Sequence, residues 1–320
     1  MLYGTSLQKE KMNMKKYINL CIAVCAIVFM ANASVSTEFF HTHFRTPNSG
    51  DNATPALKEN FYAPELPMKL TFCGENVPLS DFEVRERYDR ELVVNCYRHS
   101  NTILMIKRSS KWLPVIEPIL KEYGIPDDMK FLCMAESEFL QDVSPAGASG
   151  FWQIMRSTAN LYGLTTNDEV DERYNVEKAT RAACKYLNDA YNSLGSWTLA
   201  AASYNMGIAG VKNSISKQGE NNYFDLLLNS ETSRYVFRIL AMKTIFENQK
   251  NYGFHIHDDD KYIPLDYSTE SVSGSVSSWI TYAQEHNITY RALRIYNPWI
   301  RDVSLKNLER KTFTVKIPKE

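Results

Sequence analysis

Residues 124–153 read GIPDDMKFLCMAESEFLQDVSPAGASGFWQ, and the way this run folds decides the rest of the chain. Pro126 suits a first helical position, and Asp127 and Asp128 complement the positive end of a helix, so a helix is predicted to begin there. Continued at 3.6 residues per turn, it places Met129, Leu132, Cys133, Glu136 and Phe139 on one stripe that is apolar except for Glu136. Glu138 then lies about 200° around the axis from Glu136 and faces away. A carboxylate on a buried stripe is costly when ionised, so its protonated form persists toward neutral pH, as a general acid requires. The plainer alternative is a structural Glu paired with a neighbouring helix.

The residues that follow favour the acid. Residues 144–150, SPAGASG, form a small-residue loop in which glycine lets backbone or ligand approach closely. Phe151 and Trp152 are expected to offer a sugar-stacking surface, and Gln153 an amide. A helix-borne acid beside a compact polar loop suits a carbohydrate cleft.

Blocks matching that reading recur along the chain. Glu136-Ser137, Ser144-Pro145, residues 147–154 (GASGFWQI), and Ser203-Tyr204-Asn205 with Gly207 together resemble the signature blocks of the lytic murein transglycosylases, nearest to their membrane-bound D subfamily. The resemblance spans roughly residues 125–235. It implies a mainly α fold with a lysozyme-like helical (SLT) catalytic domain, and cleavage of the β-1,4 bond between N-acetylmuramic acid and N-acetylglucosamine. It also implies Glu136 as the single catalytic acid/base, with Ser137, Ser144, Gln153, Tyr162, Tyr204, Asn205 and Tyr235 as the substrate shell. Tyr204 is expected to orient Glu136, and Glu231-Thr232 to line the cleft as secondary candidates. No metal and no cofactor are implied. Two other readings stand beside it: a goose-type-lysozyme-like hydrolase, and a non-catalytic cell-wall-binding protein.

Flanking elements follow from local signals. Asp81 caps a predicted helix carrying Val84, Tyr88 and Leu92, and a second apolar segment, residues 103–123, is expected to break near Pro114 and Pro118. Together residues 66–123 read as amino-terminal helices packed on a catalytic domain at 124–253. Within that domain a short helix covers residues 157–163 and Asn175 caps a long one ending at Gly195. Ser196 caps the next, with Tyr204-Asn205 near its end, and another runs from Glu231 to about Gly253. Asp168, Glu169, Asp171 and Glu172 lack the order of a calcium loop and read as a solvated acidic turn. His255 and His257 sit in a linker expected over 254–271 and have no companion ligands in sequence.

Residues 272–320 close the chain with two short helices, an Asn297-Pro298 turn and a strand alternating Phe313, Val315 and Ile317. This resembles a divergent LysM module, small and α+β, whose opening Gly-Asp-Thr is replaced by Gly274-Ser275-Val276. Glycan binding and a structural cap on the catalytic domain are both open for it.

At the amino end, Lys15-Lys16 precede an apolar run at 17–30 and Ala31-Asn32-Ala33 offers a cleavage site, so residues 1–33 read as a signal peptide and 34–65 as a linker. The expected location is outside the cytoplasm, in the periplasm, with attachment to the outer membrane or cell wall as an alternative. Cys25 follows a poor lipoprotein box, Ile22-Ala23-Val24. The formal charge of −1 falls to −4 without residues 1–33, which hold four lysines and one glutamate. Such a balance argues against nucleic acid; the partner that the resemblance implies is peptidoglycan glycan strands, and synthase or amidase partners are not readable. Cys73, Cys96, Cys133 and Cys184 remain after export, and Cys73 with Cys96 is the first pair to test for a disulfide.

Overall fold

Asp81 starts the first helix through its own carboxylate, which accepts the backbone N–H groups of Glu83 and Val84. In the computed structural model, which describes residues 62–319, this helix is α1 (Phe82–Tyr97). The signal peptide, Cys25 and most of the 34–65 linker lie outside the described residues. A two-strand hairpin, β1 (Thr71–Phe72) and β2 (Glu75–Asn76), precedes α1 and turns on Cys73 and Gly74, both at positive φ.

After α1 comes α2 (His99–Glu122), which is unbroken: Pro114 and Pro118 lie inside it rather than ending it. They are one turn apart and both exposed, so the carbonyls they leave without a donor share a solvent-facing side. A 3-10 turn, Asp127–Met129, leads into α3 (Lys130–Ser137). Phe131, Leu132, Cys133 and Met134 are buried in succession, so α3 is enclosed on every side rather than along one stripe. The helix also stops earlier than expected. Glu138 and Phe139 take left-handed φ of 51° and 59°, and Phe139 reaches the core through that turn, not along the helix.

The remaining helices are α4 (Arg156–Leu161), α5 (Val176–Leu194), α6 (Trp197–Met206), α7 (Ile208–Gln218) and α8 (Thr232–Glu247). Asn175 caps α5 by accepting the Lys178 N–H, Gly195 ends it in the left-handed conformation, and Ser196 caps α6 by accepting from Leu199. Helix α8 is the hub, packing on α1, α3 and α6. Tyr235, Val236, Phe237, Ile239, Leu240, Ala241 and Ile245 are all buried along it, as a helix surrounded by others demands. Ala200, Ala201 and Ala202 are fully buried on α6 and let it close on α5 and α8.

The C-terminal unit begins inside the expected linker. Strand β3 (Tyr267–Val272) pairs antiparallel with β4 (Phe313–Pro318), and α9 (Trp279–Glu285) and α10 (Tyr290–Tyr296) lie between them. Its core of Trp279, Leu293, Trp299, Ile300 and Phe313 also takes in Val170 and Tyr174, which precede α5. Val170 bridges Ile300, the Asp171 N–H donates to the Trp299 carbonyl at 2.9 Å, and the Arg301 N–H donates to the Glu169 carbonyl at 2.9 Å. The acidic cluster is therefore solvated only in part: Asp168 is exposed. Asp171 and Glu172 are buried, the first paired with Arg173 at 2.7 Å and the second with Lys178.

All four described cysteines, Cys73, Cys96, Cys133 and Cys184, are free thiols, so the suggested Cys73–Cys96 bridge is absent. Among the described residues no helix is long and apolar enough to cross a membrane.

Candidate active site

Glu136 occupies the last turn of α3 and is half-buried. Loss of hydration pushes its carboxyl from the ordinary range up to about 7. The Tyr235 hydroxyl of α8 donates to Glu136 Oε1 and pulls in the opposite direction, as does the Arg238 charge, while Glu231 pushes the value up. Burial raises the Tyr235 phenol well above its usual value, with the Glu136 charge next in importance, so Tyr235 stays a donor.

The hydroxyl expected on Glu136 was that of Tyr204, which instead donates to the Trp152 carbonyl at 2.8 Å. Tyr204 is nonetheless close enough to feel the Glu136 charge, which adds to burial in raising its own phenol. Its ring meets Tyr186 edge-on at 5.3 Å, and Tyr186 meets Tyr162 at 6.0 Å. These rings line a pocket of about 240 Å³ together with Gln153, Met155 and Asn205. Glu136 does not line it; Tyr204 is the residue common to the pocket and the acid's surroundings.

Polar groups in this pocket are pre-oriented by neighbours. Gln153, at φ 44°, donates Nε2 to the carbonyls of Asp142 and Gly150, which turns its amide oxygen outward as an acceptor. Thr232 at the start of α8 donates to Asn205 Oδ1 at 2.7 Å, leaving the Asn205 NH₂ as a donor. The pocket thus offers one acceptor and one donor between aromatic walls, which suits a hydroxyl-rich, amide-bearing ring.

Other expected shell residues sit differently. Ser137 donates to the Phe151 carbonyl at 2.8 Å, tying the end of α3 to the loop. Ser144 accepts the Ala148 N–H at 3.0 Å and braces the loop from within. Tyr162 keeps its ring in the pocket while its hydroxyl donates to Asp189 at 2.9 Å. Phe151 and Trp152 offer no stacking surface. Both are buried, Phe151 against Trp112 and Phe139, and Trp152 with its indole N–H on Thr180 at 2.9 Å. The ring faces of the pocket come instead from Tyr162 and from Tyr186 on α5.

Carboxylates around Glu136 are spoken for in different ways. Glu138 pairs with Arg98 at 2.9 Å and Arg108 at 3.7 Å, and Asp142 is exposed. Glu231, one turn before Tyr235, is the carboxylate whose charge reaches Glu136; it pairs with Arg238 at 3.4 Å. No group of three or more metal-ligating side chains occurs among the described residues.

Residues 115–227, which include Glu136, the loop and Tyr204-Asn205, match the Transglycosylase SLT domain family. The chain carries an SLT transglycosylase domain. Residues 268–320 match the Soluble lytic transglycosylase C-terminal LysM-like domain, which begins within β3. Membrane-bound lytic murein transglycosylase D of Escherichia coli, from strains K12 and O6:H1 alike, is 30% identical over 193 residues, 58% of this chain and 41% of those proteins. The chain therefore aligns with less than half the length of these relatives. An inactive mutant of the lytic transglycosylase Slt from Pseudomonas aeruginosa has a TM-score of 0.35 and 17% identity over 56% of this chain and 35% of that one. The fold is mainly α, an SLT helical domain joined to a small LysM-like unit with two strands. Tyr235 and Glu231 lie beyond the matched SLT residues.

Proposed function

We propose that the chain cleaves peptidoglycan glycan strands by lytic transglycosylation at the bond between N-acetylmuramic acid and N-acetylglucosamine, with Glu136 as the single acid and base. The observation that carries this reading is a half-buried carboxyl with its pKa pushed up to about 7, held by Tyr235 beside an aromatic pocket. At neutral pH such a group is present in both protonation states, so it can give a proton and later take one.

In the first step Glu136 protonates the glycosidic oxygen and the bond from the muramic C1 breaks. The muramic 6-hydroxyl then attacks C1 and returns its proton to Glu136, closing a 1,6-anhydro ring; the neighbouring N-acetyl group stabilises the cation between these steps. No water enters. Gln153 and Asn205 bind sugar hydroxyl and amide groups, and Tyr162 and Tyr186 supply ring faces. Conversion of Glu136 to Gln removes the proton, so turbidity of purified murein should fall with the wild-type protein and hold steady with Glu136→Gln. Equal clearing by both proteins excludes Glu136.

Hydrolysis is the second reading, and Glu231 is what favours it. Hydrolases of the usual kind use paired carboxylates about 5 to 5.5 Å apart for retention or about 6.5 to 9.5 Å for inversion. A Glu231→Gln variant that keeps full activity removes that role. The similarity to envelope enzymes also supports an envelope location, with export in the way the first 33 residues suggest.

A further inference from the structure

We infer that Arg173 is a positioning residue for the cleft loop, and that through it the C-terminal LysM-like unit holds that loop in shape. Arg173 is buried in its own segment, yet its guanidinium joins both arms of the loop. One terminal nitrogen donates to the Gly147 carbonyl at 2.8 Å and to the Ile154 carbonyl at 3.1 Å. The remaining nitrogens fork onto Asp171, with Nε at 2.9 Å from Oδ1 and the other terminal nitrogen at 2.7 Å from Oδ2. Charge-assisted, bidentate pairing of this kind fixes orientation as well as supplying energy, and a lysine cannot reproduce it.

Backbone contact reinforces the side chain. A Cβ at Gly150 would lie 2.1 Å from the Arg173 carbonyl oxygen, so the loop is seated directly on this segment. The opposite face of the same segment belongs to the C-terminal unit. Val170 and Tyr174 are buried in that unit's core, and Glu169 and Asp171 bond to the backbone of Arg301 and Trp299. Residues 169–174 therefore form a short bar with the LysM-like unit on one side and the cleft loop on the other. The loop in turn sets Gln153 and, through the Phe151 and Trp152 carbonyls, receives Ser137 from α3 and Tyr204 from α6. A unit resembling a wall-binding module is thereby also a buttress of the site.

The inference rests on the proposed glycan cleavage for its kinetic meaning, whereas the coupling itself is testable without activity. Hydrogen exchange of residues 144–154 would be followed by mass spectrometry in the full chain, comparing wild type with Arg173→Lys and with Ile300→Ala. Ile300 is fully buried at the bridge to Val170. Both variants should raise loop exchange, Arg173→Lys by about tenfold, the effect of losing one charge-assisted bond, while amides of α1 and α8 keep their wild-type rates. Should Ile300→Ala release the whole C-terminal unit, seen as lost protection of β3 and β4, the loop should still open. Wild-type loop protection in both variants overturns the inference.

Kinetics on a soluble glycan fragment supply the second arm. Arg173→Lys should raise KM about tenfold, because Gln153 is no longer held, and should leave the pH limb set by Glu136 in place. A lowered apparent kcat at unchanged KM means only fewer folded molecules and contradicts the positioning role. If the wild-type protein cleaves no glycan, the proposed function fails while the exchange result still decides the coupling.

Discussion

Removing one oxygen, in Tyr235→Phe, should move the ionisation of Glu136 in a direction fixed by the structure. The Tyr235 hydroxyl donates to the carboxylate and so favours its charged form, against the burial that raises it to about 7. A hydrogen bond to a charged group is worth about 1.5 to 3 kcal/mol, and one pKa unit corresponds to about 1.4 kcal/mol. Partial exposure of Glu136 puts the effect at the lower end, about one unit upward. If protonated Glu136 is the acid, the alkaline limb of kcat/KM against pH follows it from near 7 to near 8. Loss of orientation lowers the plateau too, so the limb position, not the rate, is the readout. A limb that stays put or moves down refutes the assignment of Tyr235 and Glu136 as a pair.

Three further outcomes follow from the same geometry. Because Glu136 titrates higher folded than unfolded, it contributes stability below pH 4.5 that is lost as pH rises through about 7. Glu136→Gln should therefore raise thermal stability at pH 8, by about 2 kcal/mol after allowing for partial exposure, and leave it unchanged at pH 4; equal effects at both values would contradict the buried-acid account. Gly150→Ala places a methyl group on the Arg173 carbonyl at φ +76° and should cost about 3 kcal/mol or more in urea melts. Glu75 on β2 accepts from Ser196, Trp197 and Thr198 at the start of α6, so Glu75→Ala should cost about 2 kcal/mol by chemical denaturation and loosen Tyr204 and Asn205. Unchanged midpoints would show these contacts to be incidental.

Helix starts and stops were legible because they are local. Asp81, Asn175, Ser196 and Gly195 act on backbone groups within four residues, and the sequence displays both partners at once. Glu136 stood out for a related reason, as a charge in a run of apolar residues. What pairs with it was hidden, since Tyr235 lies 99 residues away and Tyr204 and Tyr235 look alike until α8 is placed at the centre. Composition likewise cannot tell an aromatic wall from an aromatic core. Phe151-Trp152 anchors the loop from below, whereas the half-buried Tyr186 exposes part of its ring in the pocket.

Nonlocal pairing also explains the other departures. Strand β3 is exposed along most of its length and carries no apolar alternation, so only its partner β4 defines it. The acidic run looked solvated because sequence does not reveal that Asp171 and Glu172 are buried, with Arg173 and Lys178 as their cations. Prolines 114 and 118 read as breaks because sequence does not reveal that both face solvent.

Mass analysis of murein digested in heavy-oxygen water tests the central claim most directly. With Glu136 as sole acid and base and the substrate's own 6-hydroxyl as nucleophile, the new muramic ends should carry no label and be lighter than hydrolysis products by one water. Labelled reducing ends would make water the nucleophile, assign Glu231 or another carboxylate a catalytic part, and contradict the transglycosylase account.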